Sequence, residues 1–246
     1  MTSSSVNVLE YLRSKTQVDL DALDVEVAKK GVLGSSFEDA TSNQIDVFTH
    51  LENPVNTDLV KESISITAEL HPLYPSLRFE ELAVEVAGAI LATRITPHIG
   101  GKVHLMVNPY YAFDRQRVVE TAKRYHFILH HLNHKYDPSR IVIKVPATWE
   151  GMQACKFLNT DDSDMRVLTL ATTVFSMEQY ILAAEVGCVS VSPFINDLRR
   201  IVYPSHTDNN DDLDLDLCIQ AQAYYTHHGT LTRVKACAAA SVDQVL

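Results

Sequence analysis

A run of β-branched residues, Ile141-Val142-Ile143, continues through Lys144 and Val145 to Pro146, and a helical stripe follows within a few residues. Such a run reads as a fully buried strand. Met152, Cys155 and Leu158 form the stripe, Thr148 is placed to cap the helix, and Trp149 and Glu150 fall in its first turn. Strand, short turn and helix make the unit from which parallel α/β folds are built, and residues at the carboxyl end of such a strand point into the site face. Lys144 sits just before that end. An ammonium buried without a partner costs several kcal/mol unless it sheds its proton, and a desolvated amine is the form that adds to carbonyls to make a Schiff base. The competing reading is a lysine whose stem is buried and whose head reaches water. Lys144 is the candidate nucleophile.

The same alternation runs along the chain. An amphipathic helix over 6–15 precedes an alternating strand at 16–21, and a polar strand at 37–44 leads into a helix at 44–52, with Asn43 placed as its cap. Prolines at 54, 72 and 75 mark 53–75 as a separator between helical segments, the second of which, over 79–93, repeats apolar residues at 79, 82, 86 and 90. A strand at 102–107 is followed by a helix capped by Asp114, with Val118, Ala122, Tyr125, Leu129 and Leu132 on one side. Beyond the Lys144 unit come a strand starting at 165 or 166 and ending at Thr173, a capping box from Ser176 to Gln179, and a helix stopping at Gly187. A strand at 188–194, an acidic loop at 208–216 feeding a helix that stops at Gly229, and a strand at 231–237 complete the pattern. Seven strands alternating with helices predict one α/β domain over 1–246 with a parallel sheet.

Composition narrows the partners. A net charge of −10, from 31 acidic against 21 basic residues with no basic block, disfavours nucleic acid and anionic membrane. The start, Met1-Thr2-Ser3-Ser4-Ser5, lacks the basic and apolar regions of a signal peptide, and no run of about 18 apolar residues is present to span a bilayer. Cysteines 155, 188, 218 and 237 lie in apolar or helical contexts without paired metal spacing, which predicts reduced, buried thiols in a cytoplasmic protein. Asp19, Asp21 and Asp24 crowd one strand end but lack a histidine or further acid to complete a metal site. His130 and His134 have the spacing of a metal pair, yet histidines near a helix C-terminus have a simpler explanation in the helix dipole. No glycine-rich phosphate loop follows any strand, so neither a metal, a nucleotide nor pyridoxal phosphate is expected as cofactor.

These residues carry a resemblance to the transaldolase family, spread over nearly the whole chain. Residues 140–144 with Thr148-Trp149-Glu150-Gly151 are similar to the segment that bears the family's Schiff-base lysine. Asp39-Ala40-Thr41-Ser42-Asn43 resembles the second-strand motif, with Gln44 where the family has proline. Phe175-Ser176 with Gln179, and Ser192-Pro193-Phe194, resemble the motifs of strands five and six, and residues 16–24 resemble the first strand. The resemblance implies a (β/α)8 TIM-type barrel whose Lys144 attacks a ketose or other ketone, loses water to an iminium and uses it for carbon–carbon cleavage. By the same match Asp21 handles the substrate hydroxyl proton, Asn43 holds the carbinolamine or iminium, and Thr172, Ser192 and Phe194 bind substrate.

The departures are equally specific. The family's third-strand glutamate falls on Met106 and its neighbouring acid on Asn108; the asparagine two residues before Thr172 falls on Leu170. Two phosphate-binding arginines fall on Asp197 and, in an ungapped reading, near Ala240, with Arg199 and Arg200 as substitutes. The chain stops where the family continues through a helix, an eighth strand and a C-terminal helix. The expectation is an incomplete barrel of about seven strands, its gap open, filled by a partner segment or covered in a homodimer. Its expected function is that of a transaldolase-like enzyme with an altered pocket; the alternative is a catalytically impaired barrel kept for binding or assembly.

Overall fold

The computed structural model describes residues 7–32, 34–160, 166–196 and 211–239, with the backbone alone at 211–214. Among them are helices α1 (Val8–Lys15), α2 (Val25–Lys30), α3 (Gln44–Glu52), α4 (Thr57–Leu70), α5 (Phe79–Ile95), α6 (Arg115–Leu132), α7 (Trp149–Thr160), α8 (Met177–Glu185) and α9 (Asp211–His228). The strands are β1 (Val103–Met106), β2 (Ile141–Pro146), β3 (Leu168–Thr172), β4 (Ser190–Ser192) and β5 (Arg233–Val234). They take their places in one sheet in chain order. A sheet ordered this way, with helices between successive strands, is the α/β architecture the alternation predicts.

The chain forms two compact units, Met1–Met106 with Ala122–Val142, and Val107–Thr121 with Ile143–Leu246. In the first, the two predicted strands at 16–21 and 37–44 meet at isolated parallel bridges, Leu20 with Ala40 and Ala40 with Val103, and the Glu38 N–H also donates to the Val18 carbonyl at 3.1 Å. Residue 40 thus links the first two strand positions to β1, although neither becomes a full strand. The 53–75 stretch separates α3 from α5 as expected but is itself helical: it holds α4, flanked by 3-10 turns at Pro54–Asn56 and His71–Leu73. Pro54 and Pro72 stand in the first positions of those turns, where a missing N–H costs nothing. Helix α5 is the centre of this unit, burying Leu82, Val86, Ile90 and Ile95 together with Ala87, Ala89 and Leu91. A helix apolar on nearly every side belongs inside. Its one deep charge, Glu85, takes Arg124 Nε at 2.5 Å and a second guanidinium nitrogen at 2.7 Å, and Arg124 also lies over the Tyr74 ring at 5.5 Å. Burial pushes the Glu85 carboxyl up and Arg124 opposes that shift.

In the second unit, β3 and β4 pair in parallel with Leu170 opposite Ser190 and Thr172 opposite Ser192. Strands β4 and β5 continue the pattern, with Ser190 opposite Arg233, and a bridge between Phe194 and Cys237 extends both elements toward the longer strands predicted there. Helix α8 ends at Gly187, whose φ of +83° suits a residue without Cβ. Its start corrects the expected capping box. The Ser176 hydroxyl makes no cap bond to the helix, and Gln179 accepts from the Phe175 N–H at 2.8 Å instead. The cysteine expectation also needs one change: Cys155, Cys188 and Cys218 are buried, but Cys237 is half-buried, its thiol donating to the Pro193 carbonyl at 2.9 Å. Asp197, Arg199, Arg200, Ala240, the start of the strand predicted at 165 and the first part of the acidic loop lie outside the described residues.

Candidate active site

Lys144 lies inside β2 and is 7% exposed, in a strand buried at every position. The sequence favours this placement because Ile141, Val142, Ile143 and Val145 are all buried beside it. Its carbonyl accepts from the Val107 N–H at 3.0 Å. Beyond the strand, Thr148 caps α7 through the Gly151 N–H at 3.0 Å and donates its own hydroxyl to the Ala112 carbonyl. Gly151 must be glycine there, because a Cβ would run into the Pro146 carbonyl oxygen.

The ladder then determines which side chains share the lysine's face. The Ala147 N–H donates to the Thr172 carbonyl at 2.8 Å. In a parallel ladder that bond sets Pro146 opposite Thr172 and, two residues back, Lys144 opposite Leu170. With the β3–β4 register, Lys144, Leu170 and Ser190 leave the sheet on one face, and Pro146, Thr172 and Ser192 leave it on the same face two residues further toward the carboxyl ends. Thr172 and Ser192 are buried, and the Ser192 hydroxyl lies 3.7 Å from Cys237 Sγ. Phe194 follows, half-buried at its bridge to Cys237. Thus Lys144, Thr172, Ser192 and Phe194 lie at or near the carboxyl ends of successive strands of one unit.

The turn after β3 is unusual. Thr173 has φ +56°, a conformation that costs a β-branched residue about 1–2 kcal/mol. Its hydroxyl donates to the Thr172 carbonyl at 2.6 Å, and the Gln179 amide donates to the carbonyls of Ala147 (2.8 Å) and Thr173 (3.3 Å). Gln179 therefore ties the turn after β3 to the turn after the lysine strand. Sequence reading missed this because both acceptors are backbone groups brought close only by folding.

Asp21 and Asn43 belong to the other unit. Asp21 is exposed, just after the Leu20 bridge. Asn43 caps α3, its side-chain oxygen accepting from Ile45 N at 2.8 Å and Asp46 N at 3.1 Å. Asp24 caps α2 and Asp19 accepts from Asp39 N at 3.1 Å, so two of the three clustered aspartates serve the local backbone. Asp46, which sequence reading passed over, accepts from the Leu23 N–H at 3.0 Å and lies 3.9 Å from His50 Nε2. Burial raises its pKa, the Leu23 N–H and His50 oppose the shift, and Asp21 and Asp24 add to it. The i, i+4 spacing of Asp46 and His50 was the available signal. His130 and His134 meet edge to face at 5.0 Å. A groove of about 780 Å³ lined by residues of α9 and by Val234 contains none of the candidate residues.

Parallel βα units carrying a buried lysine, with hydroxyls on the next two strands, define the chain as an α/β protein with its polar groups at the carboxyl ends of the strands. Residues 18–246 match the Transaldolase/Fructose-6-phosphate aldolase family. The chain belongs to this family of transferases and aldolases, whose fold is the TIM barrel. It is 25% identical over 258 aligned positions to a transaldolase of Buchnera aphidicola subsp. Baizongia pistaciae, covering 98% of this chain and 74% of that protein. A Shewanella oneidensis transaldolase is 26% identical, with 98% and 73% covered, and one from Chlamydia pneumoniae 23%, with 98% and 71% covered.

Proposed function

We propose that Lys144 forms a Schiff base with a ketose or another ketone and that the iminium drives carbon–carbon cleavage or transfer. The observation that carries this reading is a buried lysine on an inner strand, with Thr172 and Ser192 on the same face at the carboxyl ends of the next two strands. The amine adds to the carbonyl carbon, the oxygen takes the proton lost by nitrogen and then a second proton and leaves as water, and the iminium then accepts the electron pair of the breaking bond. Asp21 is proposed to take the substrate hydroxyl proton and Asn43 to hold the carbinolamine. Thr172 and Ser192 orient hydroxyl groups, and Phe194 packs against the substrate.

Met106 stands where the resemblance places a glutamate, and a thioether transfers no proton. Steps that need an activated water are therefore slow in this protein, which favours transfer to an acceptor over hydrolytic release. The same substitution supports the second reading, a catalytically impaired binding protein. With Leu170 beside Lys144 and Asp197 and Ala240 at the two arginine positions, the preferred substrate is neutral at the end where relatives would hold a phosphate. Losing one charge-assisted contact costs about 1.5–3 kcal/mol.

Turnover of fructose 6-phosphate, dihydroxyacetone and apolar ketones at matched concentrations tests this, alongside Lys144→Met. The expected result is turnover without a sugar-phosphate preference and none in Lys144→Met. A sugar-phosphate preference of about tenfold or more, 1.4 kcal/mol, contradicts the altered pocket. Failure of every ketone with the unaltered protein favours the binding reading.

A further inference from the structure

We propose that Gln179 is a positioning residue for the amine chemistry, holding Thr172 in place beside the end of the lysine strand; this rests on the Schiff-base reading above. Lys144 and Thr172 lie on neighbouring strands. Among the described residues, the ladder bond furthest toward the carboxyl ends of these strands runs from the Ala147 N–H to the Thr172 carbonyl at 2.8 Å. Past that bond the chains part into turns, and one side chain rejoins them. The Gln179 amide donates to the Ala147 carbonyl at 2.8 Å and to the Thr173 carbonyl at 3.3 Å, while its oxygen accepts from the Phe175 N–H at 2.8 Å. Gln179 itself stands in the first turn of α8, its own N–H donating to the Ser176 carbonyl at 3.1 Å, so the tie is anchored on a helix.

The residue that these bonds enclose is the strained one. Thr173 holds φ +56°, a region that disfavours a β-branched side chain. Such a conformation persists where its surroundings over-determine it, and it collects where local geometry matters to function. Here the surroundings are the three bonds of Gln179 and the bond from the Thr173 hydroxyl to the Thr172 carbonyl at 2.6 Å. Without the amide, the turn is free to relax toward negative φ, and that rotation moves the peptide joining Thr172 to Thr173. A substrate held covalently on Lys144 cannot follow. Misplacing a group that orients it by about 1 Å costs on the order of a hundredfold in rate. Gln179 exchanges no atom with the substrate; it acts through Thr172.

A double-mutant cycle separates this role from a structural one. The rate of borohydride-trapped adduct formation on Lys144 is measured with dihydroxyacetone, over a range of ketone concentrations, in the unaltered protein, Thr172→Val, Gln179→Leu and the double variant. Thr172→Val is expected to slow trapping about tenfold, the loss of one hydrogen bond to the substrate. Gln179→Leu is expected to slow it about as much. The double variant is expected to be at most about twofold slower than either single one, because a hydroxyl already out of place has little left to lose. A residue that only supports the fold would instead give effects that multiply, to about a hundredfold. Gln179→Glu, nearly the same size, keeps the acceptor for the Phe175 N–H and loses both donors, so the same cycle on it is expected to match. Effects that multiply, a Gln179→Leu protein that traps like the unaltered one, or loss of folding in both Gln179 variants overturns this inference and leaves the Lys144 reading standing. So does a Thr172→Val protein that traps at the unaltered rate. If the unaltered protein forms no trapped adduct, the Lys144 reading fails and this inference with it.

Discussion

Burial holds the His126 imidazole far below its ordinary value of 6.5, at about 4. The ring is 1% exposed, and its Nδ1 meets the Tyr136 hydroxyl at 3.0 Å. Because the unfolded chain takes up this proton near 6.5 and the folded chain not until about 4, the unfolded state binds more protons between those values. Stability is therefore whole above 6.5 and falls as pH drops toward 4, by about 3 kcal/mol for this group. His126→Asn keeps an acceptor near Nδ1 and removes the titration. Urea unfolding at pH 7 and pH 4.5 is expected to show a loss of stability smaller by about 2–3 kcal/mol in the variant than in the unaltered protein. Equal losses would show that another group carries the acid sensitivity. At this scale the burial of Lys144 within a strand was legible in the sequence, because a charge inside a β-branched run is a local anomaly. The tie that Gln179 makes was not, because it lies in the Ala147 and Thr173 carbonyls, partners set by the fold.

At the scale of elements, Asn43 stands between two jobs. Its side-chain oxygen caps α3, and the family match assigns it a role toward substrate. Asn43→Ala is expected to lose about 1 kcal/mol of stability with the cap. Asn43→Asp retains an oxygen acceptor at a helix N-terminus that favours negative charge, so its stability is expected to stay within about 0.5 kcal/mol. Turnover by Asn43→Asp then reads the exchange of the amide N–H for a carboxylate oxygen: a tenfold fall at unchanged stability supports contact with substrate, and unchanged turnover reduces Asn43 to a cap. Most elements followed from periodicity, including α5, α6 and the strand positions from residue 16 to residue 237. Helix α4 did not, because prolines were read as breaks although Pro54 and Pro72 stand in the first two positions of turns that flank it. The capping box failed for a related reason. Gln179 has the right spacing from Ser176, but its amide finds two carbonyls and the Phe175 N–H, and these three bonds outweigh one local reciprocal pair.

For the molecule as a whole, the alternation of seven strand positions with helices was visible in the chain, and residues 18–246 carry the family match. What alternation could not show was how much of each position pairs. At Leu20, Ala40 and Val103 the ladder is one bridge wide, since a polar, turn-rich sequence such as Phe37-Glu38-Asp39 supplies few side chains that hold a long strand. Among the described residues no helix is long and apolar enough to cross a membrane. The functional account depends on one amine. Incubating the protein with dihydroxyacetone and sodium borohydride, then digesting it and weighing the peptides, reads that amine directly. The account predicts a reduced three-carbon adduct on Lys144, dependent on the ketone and absent from Lys144→Met. An unmodified Lys144 peptide, or an adduct on another lysine that survives in Lys144→Met, would contradict it.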